Sequence, residues 1–154
     1  MKICDLLDER HIIFDMKSGD KAQVLANFIK ELKNRNLIQN EKTILNELLE
    51  RESLGSTGLE KGIAVPHALI EKVQEPFLAL GIVREGTNFD AADQMPTFVF
   101  FLLLGNSARP GVQLKILAHI CRLVKETKFV DKVQKSENPL EICQLLENEE
   151  EKIG

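Results

Sequence analysis

His67 stands at the end of a segment whose residue types suit the handling of an anion. The segment begins with Arg51 and passes through a loop of small residues, Gly-Ser-Thr-Gly at 55–58. Glycines let backbone N–H groups approach an anion closely, hydroxyls add donors, and arginine offers a planar charged fork that suits phosphate oxygens. Pro66 fixes its own φ and so helps to hold the direction of the histidine. A neutral imidazole beside such a cradle has the chemistry to attack a phosphoryl group and carry it as phosphohistidine.

Each residue of this segment also has a purely structural interpretation. Without the histidine, the glycines of the loop would be ordinary turn formers. Arg51 could interact with the dipole at a helix end, and the hydroxyls of Ser56 and Thr57 could bond only within the loop. The Pro-His pair favours the chemical interpretation. In it, His67 is the nucleophile, and Arg51, Ser56 and Thr57 position and neutralise the phosphoryl oxygens.

The segment resembles the fructose/mannitol-type enzyme IIA family of the bacterial phosphoenolpyruvate-dependent phosphotransferase system. The resemblance is carried by the Arg-Glu pair at 51–52, the Gly-Ser-Thr-Gly at 55–58 and the Gly-Ile-Ala-Val-Pro-His at 62–67. The order of elements on either side is also similar, so the resemblance covers nearly the whole chain. Residues 1–154 are therefore interpreted as a single enzyme IIA-like domain.

The resemblance implies that His67 accepts a phosphoryl group from the small carrier protein HPr. It further implies that the group passes to a sugar-permease domain, or that the phosphorylation state is itself a signal to a regulatory protein, as in the nitrogen-regulatory branch. Arg51 matches the arginine that the family has beside its histidine. No cofactor and no metal are implied.

Gln113 stands where the family has a second histidine, in a pattern like His-Leu-x-x-Leu-Ala. At about 100° per residue, it shares a helical stripe with apolar residues, namely Ile116, Leu117, Ile120 and Val124. His119 falls on the opposite, charged face and is expected to be solvated. Gln113 is therefore expected to face the same cleft as His67, where it can donate a hydrogen bond but cannot become a cation.

Glu60 is a second departure, since the family commonly has a glycine there. A carboxylate close to a phosphoryl group costs Coulomb energy, roughly 1 kcal/mol for charges ~4 Å apart in bulk water, unless it points to solvent. Together with Gln113 it motivates an alternative function: a regulatory or binding module of the same fold that no longer relays phosphate. A third interpretation is an anion- or nucleotide-sensing domain that uses the same cradle.

The overall composition excludes several classes of protein. The net charge of −4 gives no basic surface for nucleic acid, and no apolar run is long enough for insertion into a membrane. The start of the chain lacks a signal-peptide pattern, and the three cysteines form no close-spaced motif. An odd number of cysteines fits a reducing compartment, so a cytoplasmic protein is expected.

The order of predicted elements indicates an α/β fold. Strands are expected at 11–16, 62–65, 77–83 and within 96–104. Helices are expected after Ser18, after Asn40 with Arg51 near the end, from Pro110 or Gly111 to about Lys125, and from Asn138-Pro139 to about Leu146. This pattern predicts a layered α/β domain with a mixed β-sheet. The resemblance implies that helices cover both faces of the sheet, which gives a single domain of three layers.

Three further features have structural interpretations. Ser18 is expected to cap the first helix. His11 is expected to be a surface residue at the start of a strand. The acidic stretch at 147–151 is expected to be a solvated, frayed end.

Overall fold

The computed structural model describes residues 2–153. Its strands are β1 (Ile12–Ile13), β2 (Ile63–Ala64), β3 (His67–Ile70), β4 (Phe77–Thr87) and β5 (Thr97–Asn106). They form one sheet in the order β1–β4–β5–β2, and β3 also pairs with β5. β4 and β5 are antiparallel, whereas β1 on β4 and both β2 and β3 on β5 are parallel. The sheet is therefore mixed, as predicted.

Helices cover both faces of the sheet. They are α1 (Lys21–Asn34), α2 (Glu41–Ser53), α3 (Pro110–Glu126), α4 (Phe129–Gln134) and α5 (Pro139–Lys152). Short 3-10 turns also occur at Ile3–Asp5 and Glu9–His11. Within residues 2–153, no helix combines the length and the apolar character that a bilayer crossing requires.

β5 shows why the predicted central strand is apolar on both sides. Its side chains at 99, 101 and 103 pack with α3, α4 and α5, whereas those at 100, 102 and 104 pack with α1 and α2. Side chains alternate between the faces of a strand, so a strand buried on both faces needs a continuous apolar run. Two separate cores on the two faces confirm the three-layer arrangement.

The N-terminal cap of α1 differs from the prediction, whereas that of α5 agrees with it. Ser18 does not cap α1; its hydroxyl donates to the Gly86 carbonyl at 2.9 Å. Asp20 is the cap, and it forms a capping box with Gln23. Asn138 caps α5 as predicted, because its side chain accepts from the Glu141 N–H at 3.0 Å.

Two elements were missed from the sequence. β3 was missed because its four residues, His-Ala-Leu-Ile, follow Pro66 directly and are too few to show a period. α4 is a six-residue helix without a capping side chain. The first strand is also shorter than predicted, since only Ile12–Ile13 pairs with β4.

The acidic end is not frayed, so that expectation is wrong. α5 continues to Lys152, and Glu149 and Glu150 are each only 2% exposed. Glu149 forms ion pairs with Lys132 and Lys152. The hydrogen bond from Lys132 is the main cause that lowers the pKa of Glu149, although burial opposes the shift. The sequence alone did not indicate this burial, because Lys132 lies 17 residues away from Glu149 in the chain.

Candidate functional site

His67 is the first residue of β3 and is half-buried. Its Nδ1 lies 2.8 Å from the backbone carbonyl oxygen of Val65. A carbonyl oxygen can only accept, so the hydrogen bond places the imidazole proton on Nδ1. The neutral ring then carries its lone pair on Nε2. That nitrogen is the nucleophilic atom of the side chain.

The loop before His67 folds back along β2. The carbonyl of Thr57 accepts from the Val65 N–H at 3.0 Å, and the Leu59 N–H donates to the Ile63 carbonyl at 2.8 Å. Gly58 and Ala64 form an isolated antiparallel bridge. The loop therefore lies directly beside the residue whose carbonyl holds the imidazole.

Gly58 has a packing role in this loop. A Cβ at that position would come within 2.9 Å of the Cα of Ala91 and 3.0 Å of the carbonyl oxygen of Phe89. Such contacts with backbone atoms cannot be relieved by a rotamer change, so any side chain would push the two segments apart. The glycine is required by this close approach, which the sequence motif alone does not indicate.

The hydroxyls of Ser56 and Thr57 both bond to protein groups. Ser56 Oγ donates to the carbonyl of Phe89 at 2.6 Å and accepts from the Gly58 N–H at 3.0 Å. Thr57 is 5% exposed, and its hydroxyl donates to the carboxylate of Glu52. These bonds order the loop. A direct contact of either hydroxyl with a phosphoryl group stays a prediction.

Glu52 is a residue of this region to which the sequence interpretation gave no role. It is 7% exposed and lies in the last turn of α2. Its carboxylate accepts from the Thr57 N–H at 3.1 Å as well as from the Thr57 hydroxyl, and it pairs with Lys21 Nζ at 3.1 Å. The signal in the sequence was its place in the Arg-Glu pair at 51–52.

Arg51 precedes Glu52 in α2, and its side chain hydrogen-bonds to Gly55 of the loop and not to Thr57. It is half-buried, and its Nη1 donates to the carbonyl of Gly55 at 2.9 Å. Among residues 2–153 no carboxylate forms an ion pair with this guanidinium. One nitrogen of the guanidinium is thus hydrogen-bonded to the loop, and within residues 2–153 no acidic side chain neutralises its positive charge.

Gln113 is buried on α3, with 6% of its surface exposed. Its Oε1 is a buried atom that has no hydrogen-bond partner among residues 2–153. The amide lies against Gly105 of β5, where an added Cβ would be 2.4 Å from Oε1. A glycine at 105 is therefore what admits the glutamine side chain between helix and sheet.

The sheet register places His67 and Gln113 on the same face. His67 pairs with Leu103, and Leu69 pairs with Gly105. Leu103 packs in the core beneath α3, and Gly105 lies two residues further along the strand, so it faces the same way. That the two side chains meet in one cleft stays a prediction.

The two other histidines are tied into the fold. His119 Nε2 lies 2.8 Å from Glu150 Oε2, and the side chain is only 24% exposed, so the expected solvated role is wrong. Glu150 of α5 reaches that face of α3 at His119, while Lys115 and Arg122 on the same face stay exposed. His11 is also half-buried rather than a surface residue, with Nδ1 2.8 Å from the Leu78 carbonyl and its ring 5.0 Å from that of Phe77.

Comparison with known proteins identifies the family of this chain. A family model described as "Phosphoenolpyruvate-dependent sugar phosphotransferase system, EIIA 2" matches residues 5–149. The chain belongs to this family. Phosphocarrier or regulatory function through phosphorylation state is the function of this enzyme IIA family.

The enzyme IIA domain has relatives of two kinds. It is 30% identical over 146 residues to the nitrogen regulatory protein of Bradyrhizobium diazoefficiens, covering 95% of each chain. It is 25% identical over 138 residues to the fructose-specific EIIABC component of Bacillus subtilis, covering 90% of this chain but spanning only 22% of that protein's length. The crystal structure of IIA-Ntr from Neisseria meningitidis matches with a TM-score of 0.85 and 28% identity, covering 94% of this chain and 98% of that one.

Glu60, the second departure of this enzyme IIA domain from the family pattern, lies away from the histidine. It is exposed, at the turn that precedes β2. Ile63 pairs with Val99 and His67 with Leu103, so the turn and the histidine are separated by more than four strand residues, at least ~13 Å at ~3.3 Å per residue. At that distance, and facing water, the carboxylate imposes little repulsion on a group bound at His67.

Proposed function

We propose that this enzyme IIA domain, taken as residues 1–154, carries a phosphoryl group on Nε2 of His67. The donor is an HPr-like phosphocarrier protein. The observation that carries the proposal is the hydrogen bond from Nδ1 to the Val65 carbonyl, 2.8 Å long. It leaves the other ring nitrogen unprotonated and ready to attack.

The chemical step needs no proton transfer from His67. The Nε2 lone pair forms a bond to phosphorus while the bond from phosphorus to the donor breaks, and its electron pair stays on the donor. Since the ring then loses electron density, its Nδ1–H bond to the Val65 carbonyl becomes charge-assisted and stronger. Val65 therefore stabilises the phosphorylated state more than the free one, which is what transfer to this site requires.

The remaining candidate residues act on the phosphoryl oxygens. Arg51, anchored on Gly55 by one nitrogen, supplies permanent positive charge. Ser56 and Thr57 shape the loop beside Val65, and their contact with the oxygens belongs to the proposal. Gln113 approaches from the first turns of α3, where the helix dipole favours an anion. Alignment and charge stabilisation supply most of the rate in such transfers.

Two acceptors fit the relatives. A regulatory protein target is supported by the nitrogen regulatory relative, which is matched over 95% of its length. A sugar-permease domain is supported by the fructose-specific component, in which the matching part is 22% of a longer protein.

A second candidate function is a regulatory or binding module of the same fold that does not relay phosphate. One observation favours it: Gln113 stands where the family has a histidine, and its buried Oε1 has no hydrogen-bond partner in the described part of the chain. The position of Glu60 removes the other reason for this alternative.

The deciding experiment incubates the protein with phosphoenolpyruvate, enzyme I and HPr and then measures its intact mass. We expect the mass of one phosphoryl group to be added, in a form that is labile to acid and stable to base, as phosphohistidine is. A second incubation with the candidate acceptor should remove it. A protein that gains no mass with an active enzyme I and HPr supports the non-relaying module.

A further inference from the structure

One ion pair followed by a series of hydrogen bonds links α1 to the imidazole of His67. Lys21 Nζ pairs with Glu52 at 3.1 Å, and Glu52 accepts both the N–H and the hydroxyl of Thr57. The Thr57 carbonyl accepts from the Val65 N–H at 3.0 Å. The Val65 carbonyl accepts from His67 Nδ1 at 2.8 Å.

The carboxylate of Glu52 is buried, and its burial indicates why the side chain carries a charge. Its side chain is 3% exposed. A buried carboxylate is tolerated only when donors surround it, and a group that merely closed a surface loop would need no charge. Here all three donors are in place, and two of them belong to Thr57. The carboxylate therefore fixes the backbone of Thr57 at both its amide and its side chain.

The order of these hydrogen bonds determines which backbone atoms near His67 they hold in place. Thr57 holds the amide side of Val65, and Pro66 restricts the backbone on the other side. The Val65 carbonyl between them is thus aimed at one nitrogen of the imidazole. The partner of one ring nitrogen selects the tautomer, and with it the nitrogen that is free to react.

We propose that Glu52 is a positioning residue for His67, acting through Thr57 and the Val65 carbonyl to keep the proton on Nδ1 and the lone pair on Nε2. The inference rests on the proposed function for the role of that lone pair, whereas the positioning itself is a property of the free protein. Glu52 does not touch the phosphoryl group. Its negative charge is paired with Lys21 and hydrogen-bonded by Thr57.

The test reads the tautomer of His67 directly, by the ¹⁵N chemical shifts of its ring nitrogens at neutral pH. The variants are Glu52→Gln, which keeps the shape and removes the charge, and Thr57→Val, which removes only the hydroxyl. Thr57→Ser restores the hydroxyl. The control for Glu52→Gln is Glu150→Gln, because Glu150 is also buried and accepts from two backbone N–H groups. The control for Thr57→Val is Thr87→Val, because Thr87 is also buried and its hydroxyl donates to the Gly19 carbonyl.

We expect the parent protein to hold the Nδ1–H tautomer alone. Glu52→Gln and Thr57→Val should show a mixture with the Nε2–H tautomer, and Thr57→Ser and both controls should not. Removing the group that orients a histidine typically costs roughly 10- to 100-fold in activity, so phosphoryl transfer from HPr should fall by that order in the two variants.

The tautomer measurement is independent of phosphoryl transfer. If the parent is never phosphorylated, the proposed function fails while the ring shifts still decide the inference. A pure Nδ1–H tautomer in folded Glu52→Gln overturns it, whether or not Thr57→Val folds. The same result follows if Glu150→Gln mixes the tautomers as much as Glu52→Gln does, because the effect would then be a general loss of stability.

Discussion

Two buried glutamates organise two different regions of this molecule. Glu52 accepts from the N–H and hydroxyl of Thr57 and pairs with Lys21, whereas Glu150 accepts from the N–H groups of Ile3 and Cys4 and from His119. Each therefore satisfies its charge with two donors from one short stretch of chain and a third from a distant side chain. The regions differ in how a histidine enters.

His119 donates directly to its carboxylate, at 2.8 Å, through Nε2. His67 reaches its glutamate only through Thr57 and Val65, and it bonds a neutral carbonyl through Nδ1. The first arrangement engages Nε2 in the fold, and the second leaves Nε2 available. The comparison teaches that the chemical role of a histidine follows from which nitrogen is bonded and to what, rather than from burial alone.

The largest expected effect is at the available nitrogen. His67→Ala should abolish phosphorylation by enzyme I and HPr, because no other described histidine has Nε2 beside the loop. Intact mass and peptide mapping measure this. His11→Ala is the matched control and should be labelled like the parent. A phosphoryl group that persists in His67→Ala, or an acid-stable mark on Ser56 or Thr57, would show that the nucleophile is elsewhere.

Arg51→Ala should slow the transfer strongly and leave the fold intact. Loss of a charge-assisted contact to a phosphoryl oxygen should cost about 1.5–3 kcal/mol in the transfer step, roughly 10- to 150-fold in rate. The control is Arg84→Ala, since Arg84 also donates to backbone carbonyls, those of Gln134 and Ser136. Single-turnover labelling gives the rate. An unchanged rate, or an unfolded variant, would make Arg51 a structural residue.

Gln113 on α3 tests whether a second side chain contributes to phosphoryl transfer at His67. Gln113→Ala should lower the transfer rate by several fold, because it removes a neutral donor near the α3 N-terminus. Gln113→His should retain or raise the rate, since the family has a histidine there. His119→Ala serves as the control and should transfer the phosphoryl group at the same rate as the parent protein. Transfer by Gln113→Ala as fast as by the parent would reduce the glutamine to a packing residue.

At the second glutamate the effect should be on stability alone. His119→Ala removes one of three donors from the buried carboxylate of Glu150, which should lower the free energy of unfolding by about 1.5 kcal/mol. Urea unfolding measures it, and phosphoryl transfer at a temperature where the variant is folded should be unchanged. A loss of transfer without a loss of stability would contradict the division between the two regions.

The smallest effect concerns Glu149, the neighbour of Glu150. Its pKa is lowered in the native state, mainly by the hydrogen bond from Lys132. The native protein therefore binds fewer protons than the unfolded chain between the two pKa values, and stability rises with pH there. Glu149→Gln should cost up to about 1 kcal/mol near neutral pH, since both lysine partners are substantially exposed.

The difference between Glu149→Gln and the parent should shrink as pH falls from the ordinary carboxyl range through the lowered native pKa. Urea titrations at several pH values follow it. A difference that stays constant down to strong acid would show that the loss comes from packing and not from charge.

Local patterns in the sequence were enough to predict much of the fold. The apolar run of β5, the stripe of α3 and the Asn138-Pro139 cap each lie within a few residues, and the structure has all three. The candidate nucleophile was likewise indicated by contiguous residues. What could not be predicted depends on partners far apart in the chain. Glu150 and His119 were interpreted as solvated because nothing near them shows that α5 packs across α3. Glu52 had no assigned role because Lys21 lies in another helix.

The bonds that Glu150 makes to Ile3 and Cys4 join residues 147 and 146 positions apart. During synthesis the opening turn therefore leaves the ribosome long before its acceptor exists. Until the last turn of α5 has emerged, those two amides lack the carboxylate that accepts from them in the folded protein. The hydrogen bonds that pair the strands and order the loop around His67 join residues within 12–106, so these bonds can form before α5 has emerged. During cotranslational folding, closure of the turn at Ile3–Asp5 by α5 should thus follow pairing of the strands.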